Sequence, residues 1–296
     1  MALTIPCSTT RALILADYME HVRTNVDLRD ADSLAASAPM LRALANDRTL
    51  VVNELNRRIE NYFASAPIPS VQTLMLGRSE EFYVRANIWP AIGDMANGRA
   101  YQDQFAYNIA HDHNFTFLTV SYLGPGYETE LYEYDYDKVE GYVGEPVDVR
   151  FVEKVKFAPG SVMLYRASRD VHVQYAPEEL TITLNLMVSL PESRSRDQYY
   201  FDLATRTISG YPNELQASVR ASFVRLAGHA GDANTAQLLS DLAARHPCRR
   251  TRLTALEALC RQQAGSAAAI WEKATADPAP LVANAARRNL RTLERG

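Results

Sequence analysis

The chain has little cysteine, no long apolar run and no excess of basic charge. Its three cysteines, Cys7, Cys248 and Cys260, are scattered and odd in number, with no C-x-x-C pair in 296 residues. A disulfide framework or a cysteine-rich zinc site is therefore not expected; idle thiols in a reducing, cytoplasmic compartment are. No segment approaches the roughly 20 consecutive apolar residues of a membrane span. The N-terminal MALTIPCSTTRALILADYMEH also lacks the basic stretch and apolar core of a secretory signal. With 31 Lys and Arg against 35 Asp and Glu, the net charge is −4, which offers no broad attraction for nucleic acid or an anionic membrane. Histidine is scarce as well, six in all.

What is present changes its period along the chain. Up to about residue 65, apolar side chains recur at three- and four-residue spacing. Helices are predicted over Arg11–Val26, Ala31–Leu44 and Asp47–Phe63, the last with Asp47 as N-cap and Ser65-Ala-Pro67 as its stop. From 68 to 192 the chain turns to short runs rich in Val, Ile, Thr, Tyr and Phe, divided by Gly124-Pro-Gly126, Gly144-Glu-Pro146 and Ala158-Pro-Gly160. Strands are expected at Gln72–Leu76, Glu81–Ile88, Phe105–Ala110, Phe115–Leu123, Thr129–Tyr134, Val147–Val152, Ser161–Tyr165, His172–Tyr175 and Leu180–Ser189. Many short strands with close turns suit a jelly-roll barrel or sandwich. After Leu190-Pro191 helical spacing returns, over Tyr211–Gly228, Ala233–Arg245, Arg249–Gln263, Ala267–Ala274 and Pro280–Leu293. That region fits stacked pairs of the HEAT kind or an irregular bundle. The expected organisation is α+β in three parts: a helical segment 1–67, a β-barrel 68–192 and a helical region 193–296.

Three of the six histidines carry the chemistry. His111 and His113 stand at i and i+2, so on a strand both imidazoles point to one side and can reach one metal ion. His172, arriving on a distant strand, would make a third point and leave other coordination positions open. His21, His229 and His246 lie in helical contexts without ligand spacing. Asp112 points away from its flanking histidines.

The block Tyr107-Asn-Ile-Ala-His111-Asp-His113, with Lys156-Phe-Ala-Pro159-Gly160 before His172, resembles the two motif blocks of the cupin superfamily over residues 70–190. The resemblance implies a double-stranded β-helix, a jelly-roll barrel, flanked here by N-terminal and C-terminal helices. It implies His111, His113 and His172 as metal ligands. Many cupins add a glutamate four or five residues after H-x-H, but here those positions are Phe117 and Leu118. A three-histidine centre is what thiol dioxygenases of that superfamily use to hold ferrous iron. Fe(II) is thus the expected metal, with Zn, Ni or Mn as alternatives and 2-oxoglutarate left open.

Other side chains are candidates for the same site. Glu133 is preferred over Glu130 as a displaced fourth ligand or a base, because period-two alternation sets it with Thr129 and Leu131. Arg85 on its strand, and Arg166 and Arg169 in the loop before His172, could each grip the carboxylate of a substrate or a 2-oxo acid. Gln174 shares the face of His172, and Asn185, on a strand of Leu, Ile and Met, could orient a ligand imidazole. The expected activity is a non-haem iron oxygenase acting on an amino acid, peptide or small organic acid. An oxygen-independent isomerase, lyase or cyclase and a metal-free scaffold working through the helical tail are its rivals. A small-molecule or peptide ligand and a homodimer are the expected partners.

Overall fold

The segment Thr181–Val188 shows how the sequence builds the fold. Ile182, Leu184, Leu186 and Val188 fall on one face and Thr183, Asn185 and Met187 on the other, yet every residue of the strand is buried. Its two faces must therefore meet different surroundings. The computed structural model, which describes residues 2–60, 72–95, 105–212 and 216–295, places it at the centre of a sheet.

Contacts divide the chain into two units, Met1–Tyr134 with Val149–Leu190, and Asp135–Asp148 with Pro191–Gly296. The first holds β1 (Leu3–Ile5), β2 (Thr73–Arg78), β3 (Phe82–Trp89), β4 (Ala110–Asp112) and β5 (Phe117–Leu123). It continues with β6 (Tyr127–Glu133), β7 (Arg150–Phe157), β8 (Val162–Tyr165), β9 (Asp170–Gln174) and β10 (Thr181–Val188). One antiparallel sheet runs β1-β8-β5-β10-β3-β2, and opposite it lies β4-β9-β6-β7. Two facing antiparallel sheets in this order make a cupin-like jelly roll. The β5–β6 link is Gly124-Pro-Gly126, with φ of 86° and 83° at its glycines. A Cβ at either would collide with backbone, of Leu180 or of Phe157, so only glycine fits.

The outer face of the first sheet is covered by α1 (Leu15–Asn25), α2 (Ala31–Ala36), α3 (Ala38–Leu44) and α4 (Leu50–Glu60). Tyr18, Val22, Leu34, Leu41 and Leu44 share one core with Val84, Leu118, Val120, Leu184 and Leu186. The N-terminal helices thus belong to the barrel's own unit. The single helix expected over Ala31–Leu44 is broken at Ser37, because Pro39 lacks an N–H and suits only the first turn of a new helix. Asp47 accepts from the Thr49 amide and hydroxyl at 3.0 and 2.7 Å just before α4, whose expected end at Phe63 and stop at Ser65–Pro67 lie outside the described residues.

Two further expectations differ. Phe105–Ala110 is not a strand, because Ala106 and Asn108 take φ of 52° and 61° and the ladder starts only at Ala110. The stretch after Tyr134, which reads as a turn, is a strap grouped with the C-terminal residues. There the Glu145 carboxylate accepts from the Glu140 and Gly141 amides at 2.7 and 2.5 Å.

In the second unit β11 (Tyr200–Asp202) pairs with β12 (Thr207–Gly210). The helices follow as α5 (Gln216–Ala230), α6 (Ala233–Arg245), α7 (Arg249–Gln262), α8 (Ala267–Ala274) and α9 (Pro280–Leu293). α7 packs on α5, α6, α8 and α9, with Val224, Leu239 and Leu259 in one cluster and Trp271, Val282 and Ala286 in the next. Among the described residues no helix is long and apolar enough to cross a membrane.

Candidate metal centre

Register brings the three histidines together. His111 on β4 is directly opposite His172 on β9, so both imidazoles leave the same face of the sheet. His113 stands just past the end of β4, where its carbonyl accepts from the Ser168 amide at 2.6 Å. Upstream, the Asn108 amide donates to the Gln174 carbonyl at 2.9 Å, which fixes β4 against the strand that carries His172.

The three Nε2 atoms converge. His172 Nε2 is 3.1 Å from that of His111 and 3.2 Å from that of His113, and these residues are the metal-ligand group found among the described ones. His111 Nδ1 lies 2.8 Å from the Ile109 carbonyl oxygen, an acceptor only, so that nitrogen carries the proton and Nε2 presents its lone pair. Burial holds the His111 pKa below its usual value. Burial, and the cost of placing a second positive charge beside a charged neighbour, holds His113 and His172 well below it. All three are thus neutral imidazoles, the form that binds a metal.

Their spacing fits an ion. With metal–nitrogen bonds near 2.1 Å, ligands at right angles lie about 3.0 Å apart and tetrahedral ones about 3.4 Å. The observed 3.1 and 3.2 Å fall between. A cation at this point would draw on a ring-nitrogen lone pair from each of the three. Aromatic rings hold the imidazoles in place. Phe117 meets His113 edge-on at 5.0 Å and stacks on Tyr165 at 4.7 Å, and Tyr165 lies 4.9 Å from His172. Phe117, at the position where many cupins carry a glutamate, is therefore part of the wall around the ligands.

Facing the histidines across a cavity of about 90 Å³ is the inner face of the first sheet. It contributes Arg85 and Asn87 from β3, Thr119 from β5 and Asn185 from β10, while Gln174 comes from β9 beside His172. Burial pushes the Arg85 pKa down, and among the described residues no acid lines this cavity. Arg85, Gln174 and Asn185 are thus brought to the histidines. Asn87, Thr119, Trp89 and Tyr165 also line the space. For Thr119 a signal existed: Phe117, Thr119 and Ser121 alternate with Leu118, Val120 and Tyr122 along β5.

Glu133, Arg166 and Arg169 do not line this cavity and lie beyond Leu131, at the far end of β6 and in the loop before β9. The Arg166 guanidinium donates to Asp170 Oδ1 at 2.5 Å and to Glu133 Oε1 at 2.6 Å, while Arg169 and Arg150 approach Glu133 at 3.8 and 3.6 Å. Alternation does set Glu133 on the face of His172, but two residues beyond Leu131, the residue opposite His172. At that end of the strand its charge is taken by arginines. Arg166 is likewise committed to carboxylates of the chain itself. Glu130 accepts from Tyr132 at 2.8 Å on the other face, and buried Asp112 accepts from the Tyr134 hydroxyl at 2.6 Å.

No family model and no curated protein matches the sequence. Among solved structures, a hydroquinone 1,2-dioxygenase from Sphingomonas sp. TTNP3 is similar over 44% of this chain and 76% of its own, at 12% identity and a TM-score of 0.27. A cupin domain from Bordetella pertussis Tohama I is similar over 43% of this chain and all of its own, at 10% identity and 0.22. A chain from crystal structures of DMSP lyases is similar over 43% of this chain, which spans half of its length, at 11% and 0.26. Identities and scores this low say nothing of substrate or reaction, and the cupin-like assignment rests on this barrel's own strand order and histidine placement.

Proposed function

We propose that this protein is a metal-dependent enzyme, a non-haem Fe(II) oxygenase acting on an amino acid or a related small organic acid. The observation that carries this reading is the convergence of three neutral imidazoles, 3.1 and 3.2 Å apart at Nε2, on a cavity that also holds Arg85. Three neutral ligands leave a bound Fe(II) its full dipositive charge and open positions for substrate and dioxygen. His111, His113 and His172 would hold it. Phe117 and Tyr165 pack against the His113 and His172 rings and limit how they turn. The buried Tyr127 and Tyr165 hydroxyls, whose pKa values burial raises, stay protonated and act as donors, not bases. The cavity, of about 90 Å³, is small for a ligand pocket. That favours an oxygenase that draws its electrons from the substrate over one that must also seat 2-oxoglutarate.

Anaerobic reconstitution with Fe(II), with and without 2-oxoglutarate, followed by an oxygen electrode and amino and hydroxy acids as substrates, tests the reading. One equivalent of iron, lost in His111→Ala, and acid-dependent oxygen uptake without 2-oxoglutarate are expected. Stoichiometric metal with no uptake points to an isomerase, lyase or cyclase on the same barrel; no metal binding at all ends the enzyme reading.

A further inference from the structure

The inner face of the first sheet carries a row of polar groups that the metal ligands leave unused. Asn185 is directly opposite Arg85 on one neighbouring strand and Thr119 on the other, so the three side chains form one line across β3, β10 and β5. Arg85 Nε, Asn185 Nδ2 and Thr119 Oγ1 are all buried without a hydrogen-bond partner among the described residues. Three such groups in one line are rare by chance, because an unmade buried hydrogen bond is costly.

Their polarity is set by a chain of bonds. The Trp89 indole can only donate, and does so to Thr183 Oγ1 at 3.2 Å. The Thr183 hydroxyl then gives its proton to Asn185 Oδ1 at 3.5 Å, which leaves the Asn185 NH₂ as the group facing the cavity. The row therefore offers a guanidinium, an amide NH₂ and a hydroxyl, each able to donate. Among the described lining residues no acid offers the buried Arg85 guanidinium a counter-charge.

We infer that Arg85, Asn185 and Thr119 form a carboxylate subsite, and that the substrate is a compact monocarboxylic acid whose other end faces the histidines. The subsite itself stands apart from the metal reading; only the direction of the acid's other end rests on it. A cavity of about 90 Å³ is small for a ligand pocket, which favours a compact acid over a peptide.

The test is calorimetric titration of the full chain, metal-free and again Fe(II)-loaded without oxygen, using lactate, propionate, lactamide, 2-oxoglutarate, chloride and phosphate. Lactate and propionate should bind, with lactamide at least about ten-fold weaker and 2-oxoglutarate weaker than lactate. Arg85→Gln should lose at least about ten-fold in lactate affinity and Arg85→Lys should recover part of it. Should Arg85→Gln fail to fold, Thr119→Val removes one hydroxyl at nearly constant shape and should still weaken lactate several-fold. Equal binding of lactate and lactamide, no binding of either acid, tighter binding of chloride or phosphate, or unchanged affinity in folded Arg85→Gln and Thr119→Val would each overturn the subsite. Acid binding without oxygen uptake leaves the subsite standing and removes the oxygenase; oxygen uptake without these affinity differences does the reverse.

Discussion

Replacing Arg166 by Met should loosen the loop that holds His113. Arg166 sits between β8 and β9 with its side chain 20% exposed, against 0% for Asp170 and 14% for Glu133. It reaches both carboxylates, and its own backbone amide donates to Asp170 Oδ2 at 2.7 Å. Met keeps the stem's bulk but removes the guanidinium that donates to the buried Asp170 carboxylate. Breaking a buried pair from one side typically costs about 3–5 kcal/mol. Because Glu133 retains Arg150 and Arg169 nearby, about 3 kcal/mol is the expected loss. Hydrogen exchange of the β9 amides, read by mass spectrometry, reports on this unit without requiring that the whole chain unfold in one step. The same loop holds His113 through the Ser168 amide, so metal affinity should fall by about 10- to 100-fold. Adding Asp170→Asn to the Arg166→Met variant should restore part of the stability, since a neutral amide is cheaper to bury beside Met than a carboxylate. A loss below about 1 kcal/mol with metal affinity unchanged would falsify the account, because the cluster would then behave as a solvent-screened surface pair.

Other perturbations separate the two faces of the first sheet and the state of the histidines. Leu184→Ala, on the face covered by the N-terminal helices, should destabilise the first unit by about 2–5 kcal/mol in urea unfolding. Thr119→Val, on the cavity face, should leave stability unchanged or raise it, since it deletes a buried hydroxyl with no partner among the described residues; a loss like that of Leu184→Ala would mean the hydroxyl is bonded. In the metal-free protein, burial lowers the pKa of His111, His113 and His172, so the folded chain binds fewer protons than the unfolded one in mildly acid solution. Their contribution is complete above the unfolded value of about 6.5 and is lost as pH falls below it, with a slope of up to about 1.4 kcal/mol per pH unit for each ring. His172→Gln should flatten the slope of urea midpoints between about pH 5 and 7, and an unchanged slope would show that the rings are solvated.

What could be read from sequence was whatever rests on a local period. The helices Ala233–Arg245, Ala267–Ala274 and Pro280–Leu293 run over the residues their spacing predicts. The strands before and after Gly124-Pro-Gly126 follow from β-branched runs with a turn that only glycine can make. His111, His113 and His172 were legible because i, i+2 on a strand and a third histidine beyond a Pro-Gly turn need only alternation and order. Phe105–Ala110 misled because its composition suits a strand, whereas Ala106 and Asn108 adopt positive φ, which no composition records.

The placement of the charged groups depends on register, which no local pattern records. Arg85 and Arg166 are equally good carboxylate binders as residues. Arg85 is directly opposite Asn185 on a face with no acid among the described residues, whereas Arg166 closes onto Asp170 four residues ahead and Glu133 on a neighbouring strand. One is left uncompensated and the other is neutralised by the same rule, that a buried charge must find its opposite. The arginine that meets no carboxylate among the described residues is therefore the one left to bind an anion from outside.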